Sequence, residues 1–115
     1  MYNARCIHCA NCGTHHVDYL DKNDILQFIC KQCSVSVRSS FKKEKEDNCT
    51  ITTTYRYQNG IVEFFGLFCE HCGTKHEGKL NRKNEFDIIC NCGASIRAKK
   101  INSTDIRVST RVMKN

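Results

Sequence analysis

Apolar and polar positions alternate in short runs along the whole chain, and no stretch carries the 3.6-residue period of a convincing amphipathic helix. In the first half, THHVDYL and ILQFI flank the polar turn DKND; in the second, GKL and EFDII flank NRKN. Each set predicts a hairpin. Beyond it, Val35 and Val37, and likewise Ala94 and Ile96, alternate with polar residues as a half-buried third strand does. The segment TITTTYRYQNGIVEFFGLF predicts a further hairpin, because β-branched and aromatic runs flank Asn59-Gly60, a strong two-residue turn signal. That turn sets a register in which Gln58 opposes Ile61, Arg56 opposes Glu63 and Tyr55 opposes Phe64. One face then collects Ile51, Thr53, Tyr55 and Tyr57 with Val62, Phe64 and Phe68. Near the C-terminus Ile106, Val108 and Val112 alternate with Arg107, Ser109 and Arg111, which predicts a last strand.

A repeat organises these elements. At a shift of 60, Cys9, Cys12, Gly13, Thr14, His16, Leu20, Ile29 and Cys30 fall on Cys69, Cys72, Gly73, Thr74, His76, Leu80, Ile89 and Cys90. Both copies hold 17 residues between the second and third cysteines, and each closes on a fourth, Cys33 in CKQC and Cys92 in CNC. Two cysteines two residues apart can bind one tetrahedral ion from a tight turn, and the glycine that follows supplies the positive φ such a turn commonly needs. The expected ligands are therefore Cys9, Cys12, Cys30 and Cys33 for one Zn²⁺, and Cys69, Cys72, Cys90 and Cys92 for a second. His71 or His76 is the alternative ligand at the second site, where the CNC turn is one residue short. The expectation for His16 and His76 is packing or hydrogen bonding beside the sites, and Cys6 and Cys49, which have no repeat partners, read as ordinary thiols.

Size gives the metals a purpose. A chain of 115 residues split into small units has little core, and units this small usually need metals, disulfides or oligomerisation. The opening MYNARCIHCAN has no apolar signal-peptide run and no stretch is long enough to span a membrane, so the expected compartment is the reducing cytoplasm, where cysteines serve as metal ligands. Predicted organisation is a small all-β, metal-stabilised protein: zinc ribbon one over residues 1–41, a charged linker over 42–49, a central β-hairpin over 50–68, and zinc ribbon two with a basic strand over 69–115. The formal charge of +6 lies mostly at the C-terminus, where Arg97, Lys99, Lys100, Arg107, Arg111 and Lys114 face one acid, Asp105. Each four-thiolate zinc site carries −2, so two sites lower +6 to about +2, and the local basic strip becomes a better sign of nucleic acid than the total.

The frame CxxCG, 17 residues, CxxC resembles the Com family of Mu-like phages, small zinc-ribbon proteins that regulate translation by binding messenger RNA. The resemblance covers residues 9–38 and, with CNC in place of the second CxxC, 69–97. The paired layout is similar to the two-ribbon subunit of RNA polymerase and the related transcript-cleavage factors, although the Asp-Glu pair of those factors is replaced by NRKN at the tip of the second unit. Four thiolates close a zinc shell and leave no place for an activated water, a thioredoxin reading of CANC or CEHC lacks its βαβ context, and HHVD at 15–18 lacks the helix an HNH nuclease needs. The expectation is a non-catalytic regulator of transcription or translation that binds RNA or DNA through the basic strip. A second expectation is a protein-binding adaptor or inhibitor, phage-encoded, that docks Tyr55, Tyr57 and Phe64 on RNA polymerase or a host defence complex.

Overall fold

The computed structural model describes residues 4–43, 48–60 and 64–112. Among the described residues, ten strands form three antiparallel sheets. The first five are β1 (Ala4–His8), β2 (His15–Tyr19), β3 (Ile25–Ile29), β4 (Ser36–Lys43) and β5 (Cys49–Arg56). Their counterparts are β6 (Gly66–Phe68), β7 (Lys75–Glu77), β8 (Glu85–Ile89), β9 (Ser95–Lys100) and β10 (Asp105–Val112). No helix among the described residues is long and apolar enough to cross a membrane.

Six strands make one sheet in the order β3-β4-β5-β10-β9-β8, so each half of the chain contributes three strands and the halves meet where β5 pairs with β10. The order is a palindrome of the repeat. Thr53 faces Val108 at its centre, and rungs on either side exchange under the duplication: Thr54 faces Arg107 on one side, Thr52 faces Ser109 on the other. The sheet is therefore organised about a pseudo-two-fold axis through that rung. Small sheets β1-β2 and β6-β7 lie against one face of it, where Val37, Ile51, Tyr55, Ile96, Ala98, Ile106 and Val108 are buried. Alternation does this work: β10 buries Ile106, Val108 and Thr110 and exposes Arg107 and Arg111.

Across the axis the two halves grip each other. The His8 amide donates to the Glu70 carbonyl at 2.9 Å, and the Phe68 amide, its repeat equivalent, donates to the Ala10 carbonyl at 2.8 Å. Gly13 and Gly73 hold φ near +80° and +82°; a Cβ on Gly13 would lie 2.7 Å from the Phe68 ring, and one on Gly73 2.8 Å from the His8 ring. Both glycines are needed twice over, for the turn and for the approach of the other half. The symmetry breaks at the centre, where Ala10 of one half answers Glu70 of the other. Glu70 is 1% exposed; its carboxylate accepts from the Tyr55 hydroxyl and from Thr110 Oγ1 at 2.9 Å, while the Ala10 amide donates to the Tyr55 oxygen at 3.0 Å. Burial lifts the Glu70 carboxyl to about 7, against donors Tyr55, Thr53 and Thr110 that favour the charged form.

The expected central hairpin over 50–68 is not formed. Tyr55 faces Val37 and Ile106 instead of Phe64, and Arg56 faces Ser36 and Asp105, the latter joined to its guanidinium at 3.0 and 3.2 Å. Ile61, Val62 and Glu63 lie outside the described residues. Asn59-Gly60 does sit in a turn, closed by the Gly60 amide on the Tyr57 carbonyl at 3.2 Å, but a two-sided place in the sheet buries Ile51, Thr53 and Tyr55 as a lone hairpin could not. The hairpins predicted around DKND and NRKN are corrected likewise: the turns form, with Asp21 and Asn81 side chains capping them, yet β2 pairs with β1 while β3 pairs with β4. Nor does 42–49 separate two domains. Lys42 faces Thr50 and Lys43 faces Cys49 as the last rungs of β4-β5, and residues 44–47 lie outside the described residues.

Tyr55→Phe removes the hydroxyl that serves both Ala10 and Glu70, and the unmet buried groups should cost about 1–3 kcal/mol. Urea unfolding will show a lower midpoint with an unchanged slope; an unchanged midpoint would mean that the network contributes nothing.

Candidate functional site

Each quartet is built from two tight turns. In the first, the Cys9 amide donates to the Thr14 carbonyl and the Gly13 amide returns to the Cys9 carbonyl; Cys69, Thr74 and Gly73 repeat this with distances within 0.1 Å (2.9 and 2.7 Å against 2.9 and 2.8 Å). Thr14 and Thr74 place their hydroxyls 3.1 Å from the Cys12 and Cys72 sulfurs. The second turn differs between the copies. In CKQC, Ser34 at φ 67° donates to the Cys30 carbonyl, whereas in CNC the tighter turn is closed by Gly93, at φ 92°, on Cys90. The lost residue thus removes one position from the turn and leaves Cys92 in reach of its partners.

All eight expected cysteines assemble as predicted. Cys9, Cys12, Cys30 and Cys33 form one group and Cys69, Cys72, Cys90 and Cys92 the other, with the sulfurs of each within 4.8 Å of one another. Cys9 lies 3.7 Å from Cys33 and Cys12 3.6 Å from Cys30; Cys69 lies 3.8 Å from Cys92 and Cys72 3.3 Å from Cys90. A zinc–sulfur bond of about 2.3 Å sets tetrahedral edges of roughly 3.8 Å, so the quartets suit one tetrahedral ion each. They are too wide for disulfides, whose sulfurs stand about 2 Å apart. Burial pushes the Cys9 and Cys69 thiols up. Cys12 and Cys72 are lowered, Cys72 to about 6, because Thr14 or Thr74 and the neighbouring sulfurs outweigh the upward pull of burial. A cation among the sulfurs would bring the buried pair to thiolate as well.

The histidines are not ligands in this geometry. His16 Nε2 sits 3.2 Å from the Cys30 sulfur with its ring 4.4 Å from that of Phe28, as expected for a packing and hydrogen-bonding role. His76 Nε2 is buried with no hydrogen-bond partner among the described residues, and His71 is exposed. Cys6 is exposed and Cys49 half-buried, and both stand apart from the two quartets.

The basic strip resolves by strand parity. Arg97, Lys99, Arg107 and Arg111 project from the outer face of the six-stranded sheet, away from the knuckles. Lys100 does not join them: it pairs with the buried Ile106 and so belongs to the opposite face. Lys114 lies outside the described residues. Sequence reasoning missed the contribution of the first half, for Arg38, Lys42 and Arg56 stand on this same face. Seven cations thus face three carboxylates, Glu85, Asp87 and Asp105, a surplus of four charges. Asp105 is held below the usual carboxylate range by Arg56, and Asp87 receives Arg97 at 2.7 Å. Arg107 is placed directly opposite Lys99, which has Glu85 opposite it on its other side. Of the expected protein-docking residues, Tyr55 is 1% exposed and inside the core, while Tyr57 and Phe64 are half-buried, Tyr57 bonded to Asn11 and the Phe64 ring tilted against that of Phe86. Of the apolar face drawn for a hairpin, Ile51, Thr53 and Tyr55 are buried, and Val62 lies outside the described residues.

No protein-family model, curated protein or solved structure matches the chain.

Purified protein should contain two metal ions per chain by elemental analysis. Cys12→Ser or Cys72→Ser should each lower the content toward zero, because the two quartets share one core, whereas Cys6→Ser and Cys49→Ser should keep both. A wild-type content of one would show that a quartet is only an arrangement of thiols.

Proposed function

We propose that the chain is a non-catalytic zinc protein that binds nucleic acid on the outer face of its six-stranded sheet. Zinc is the ion that four thiolates at tetrahedral spacing favour, and a closed four-sulfur shell serves structure, since it offers no open position for substrate or water. The observation that carries the reading is the surplus of cations on this face, with Arg107 set beside Lys99. Lys99 stands between Glu85 and Arg107 on one rung, so one carboxylate answers two cations, and a polyanion laid across them would meet the remaining charge and release its own counterions. Two thiolate centres of −2 each take the formal +6 to about +2, so the surplus of four on one face makes the molecule electrically lopsided, with the negative centres toward the opposite side. Regulation of transcription or translation is the role that such binding without catalysis supports.

Binding to mixed nucleic acid should fall with salt, at a slope of log affinity on log salt of about −3 to −4 for four phosphate contacts. Lys99→Ala with Arg107→Ala should make it shallower by about two units while metal content stays at two, because neither residue belongs to a quartet. Undetectable or salt-insensitive binding would remove the reading, as would a double variant that binds as well as wild type.

A further inference from the structure

The pseudo-two-fold axis passes through the cationic face, and hydroxyl side chains predominate beside it. Beside the axis the outer side chains are Thr52 opposite Ser109 and Thr54 opposite Arg107, three hydroxyls and one cation on β5 and β10. On either side stand two grooves that the duplication exchanges. One, of about 380 Å³, is lined by Gln27, Ile29, Arg38 and Arg56; the other, of about 650 Å³, by Asp87, Ile89, Arg97 and Arg111. Strands β4 and β9, which carry Arg38 and Arg97, are three strand spacings apart, about 14 Å. No aromatic side chain belongs to the outer rows of the described sheet, whose even alternation sends Phe28, Phe41, Tyr55 and Phe86 inward.

These features select among nucleic acids. Single strands are held by bases stacking on aromatic rings, and this face has none to offer. A duplex has a dyad of its own, and two phosphate backbones related by it match two arginine flanks related by the protein's pseudo-axis. A six-stranded sheet face is too broad to enter a narrow or deep groove, but it can lie across a wide, shallow one, and the minor groove of A-form RNA is wide, shallow and lined with 2′-hydroxyls. We propose that the face takes double-stranded RNA across its minor groove, the threonine and serine strip meeting 2′-hydroxyls and the flanks, Arg38 on one side and Arg97 on the other, meeting phosphates of opposite strands. This rests on the nucleic-acid reading above and names its substrate class. Sequence selectivity is not expected, because the contacts fall on sugar and phosphate.

The test titrates the whole metal-loaded protein with a mixed-sequence RNA duplex, the DNA duplex of the same sequence and one RNA strand alone, each at two salt concentrations. The RNA duplex should bind about tenfold more tightly than either other probe. Arg38→Ala and Arg97→Ala should each weaken it by a similar factor of about ten, the scale of one charge-assisted hydrogen bond. Thr52→Val with Thr54→Val, which removes hydroxyls at nearly constant volume, should erase the preference for RNA over DNA without changing the salt slope. Single-stranded RNA or duplex DNA binding as tightly as duplex RNA would overturn the duplex-RNA proposal and leave nucleic-acid binding standing; failure of all three probes would overturn both. An Arg38→Ala effect without an Arg97→Ala effect would also contradict it, since the two sites are related by the axis.

Discussion

Pairing of β5 with β10 is the contact on which the rest of the molecule depends. Each half of the chain makes a cysteine knuckle and a three-stranded sheet, and three short strands with one buried face are near the lower limit of independent stability. Joined at this rung, they become a six-stranded sheet with a single inner face wide enough for both knuckles, and edges only at β3 and β8. The reciprocal His8–Glu70 and Phe68–Ala10 hydrogen bonds then tie the knuckles over that face, so the metal sites belong to one core rather than to two beads.

Symmetry is used where it adds surface and abandoned where it would leave a void. Tyr55 and Ala10 in one half occupy the space that Thr110 and Glu70 occupy in the other, and the tyrosine hydroxyl reaches across to the carboxylate. A large residue beside a small one is exchanged for a small one beside a large one, which keeps the interior filled while the backbone stays two-fold. Outside, the duplication persists in the flanks, Arg38 with Arg97 and Arg56 with Arg111. The carboxylates do not follow it: Gln27 stands where Asp87 does, and Thr50 where Asp105 does, so the first half of the face has fewer negative charges than the second.

The metal quartets were legible in the cysteine spacing because tetrahedral chelation is a local constraint that the turn sequence states directly. Strand periods were legible too, since Val35, Val37, Ala94 and Ile96 are all buried as their alternation requires. Pairing partners were not. Asn59-Gly60 is a strong local turn signal and does turn, yet it loses to a nonlocal arrangement in which β5 has neighbours on both sides. A sign of that arrangement was present: ITTTYR at 51–56 and IRVSTR at 106–111 share their isoleucine, a hydroxyl residue and their arginine at a shift of 55, extending the duplication past the cysteines. The basic strip was read as a window of sequence, whereas odd and even positions of β9 face opposite ways and so divide Lys100 from Lys99. Glu70 carried no signal, because a carboxylate between two ligand cysteines looks solvent-exposed until the other half of the chain covers it.

If one core contains both metal centres, they cannot be lost separately. The direct measurement is a chelator titration in which metal release is followed by a chromophore and the backbone amide signals of β4 and β9 by NMR. The account predicts one transition, with both ions leaving as the amides of both strands collapse together. Release of one ion while the signals of the other half stay native would contradict it, and would make the molecule two ribbons that merely touch.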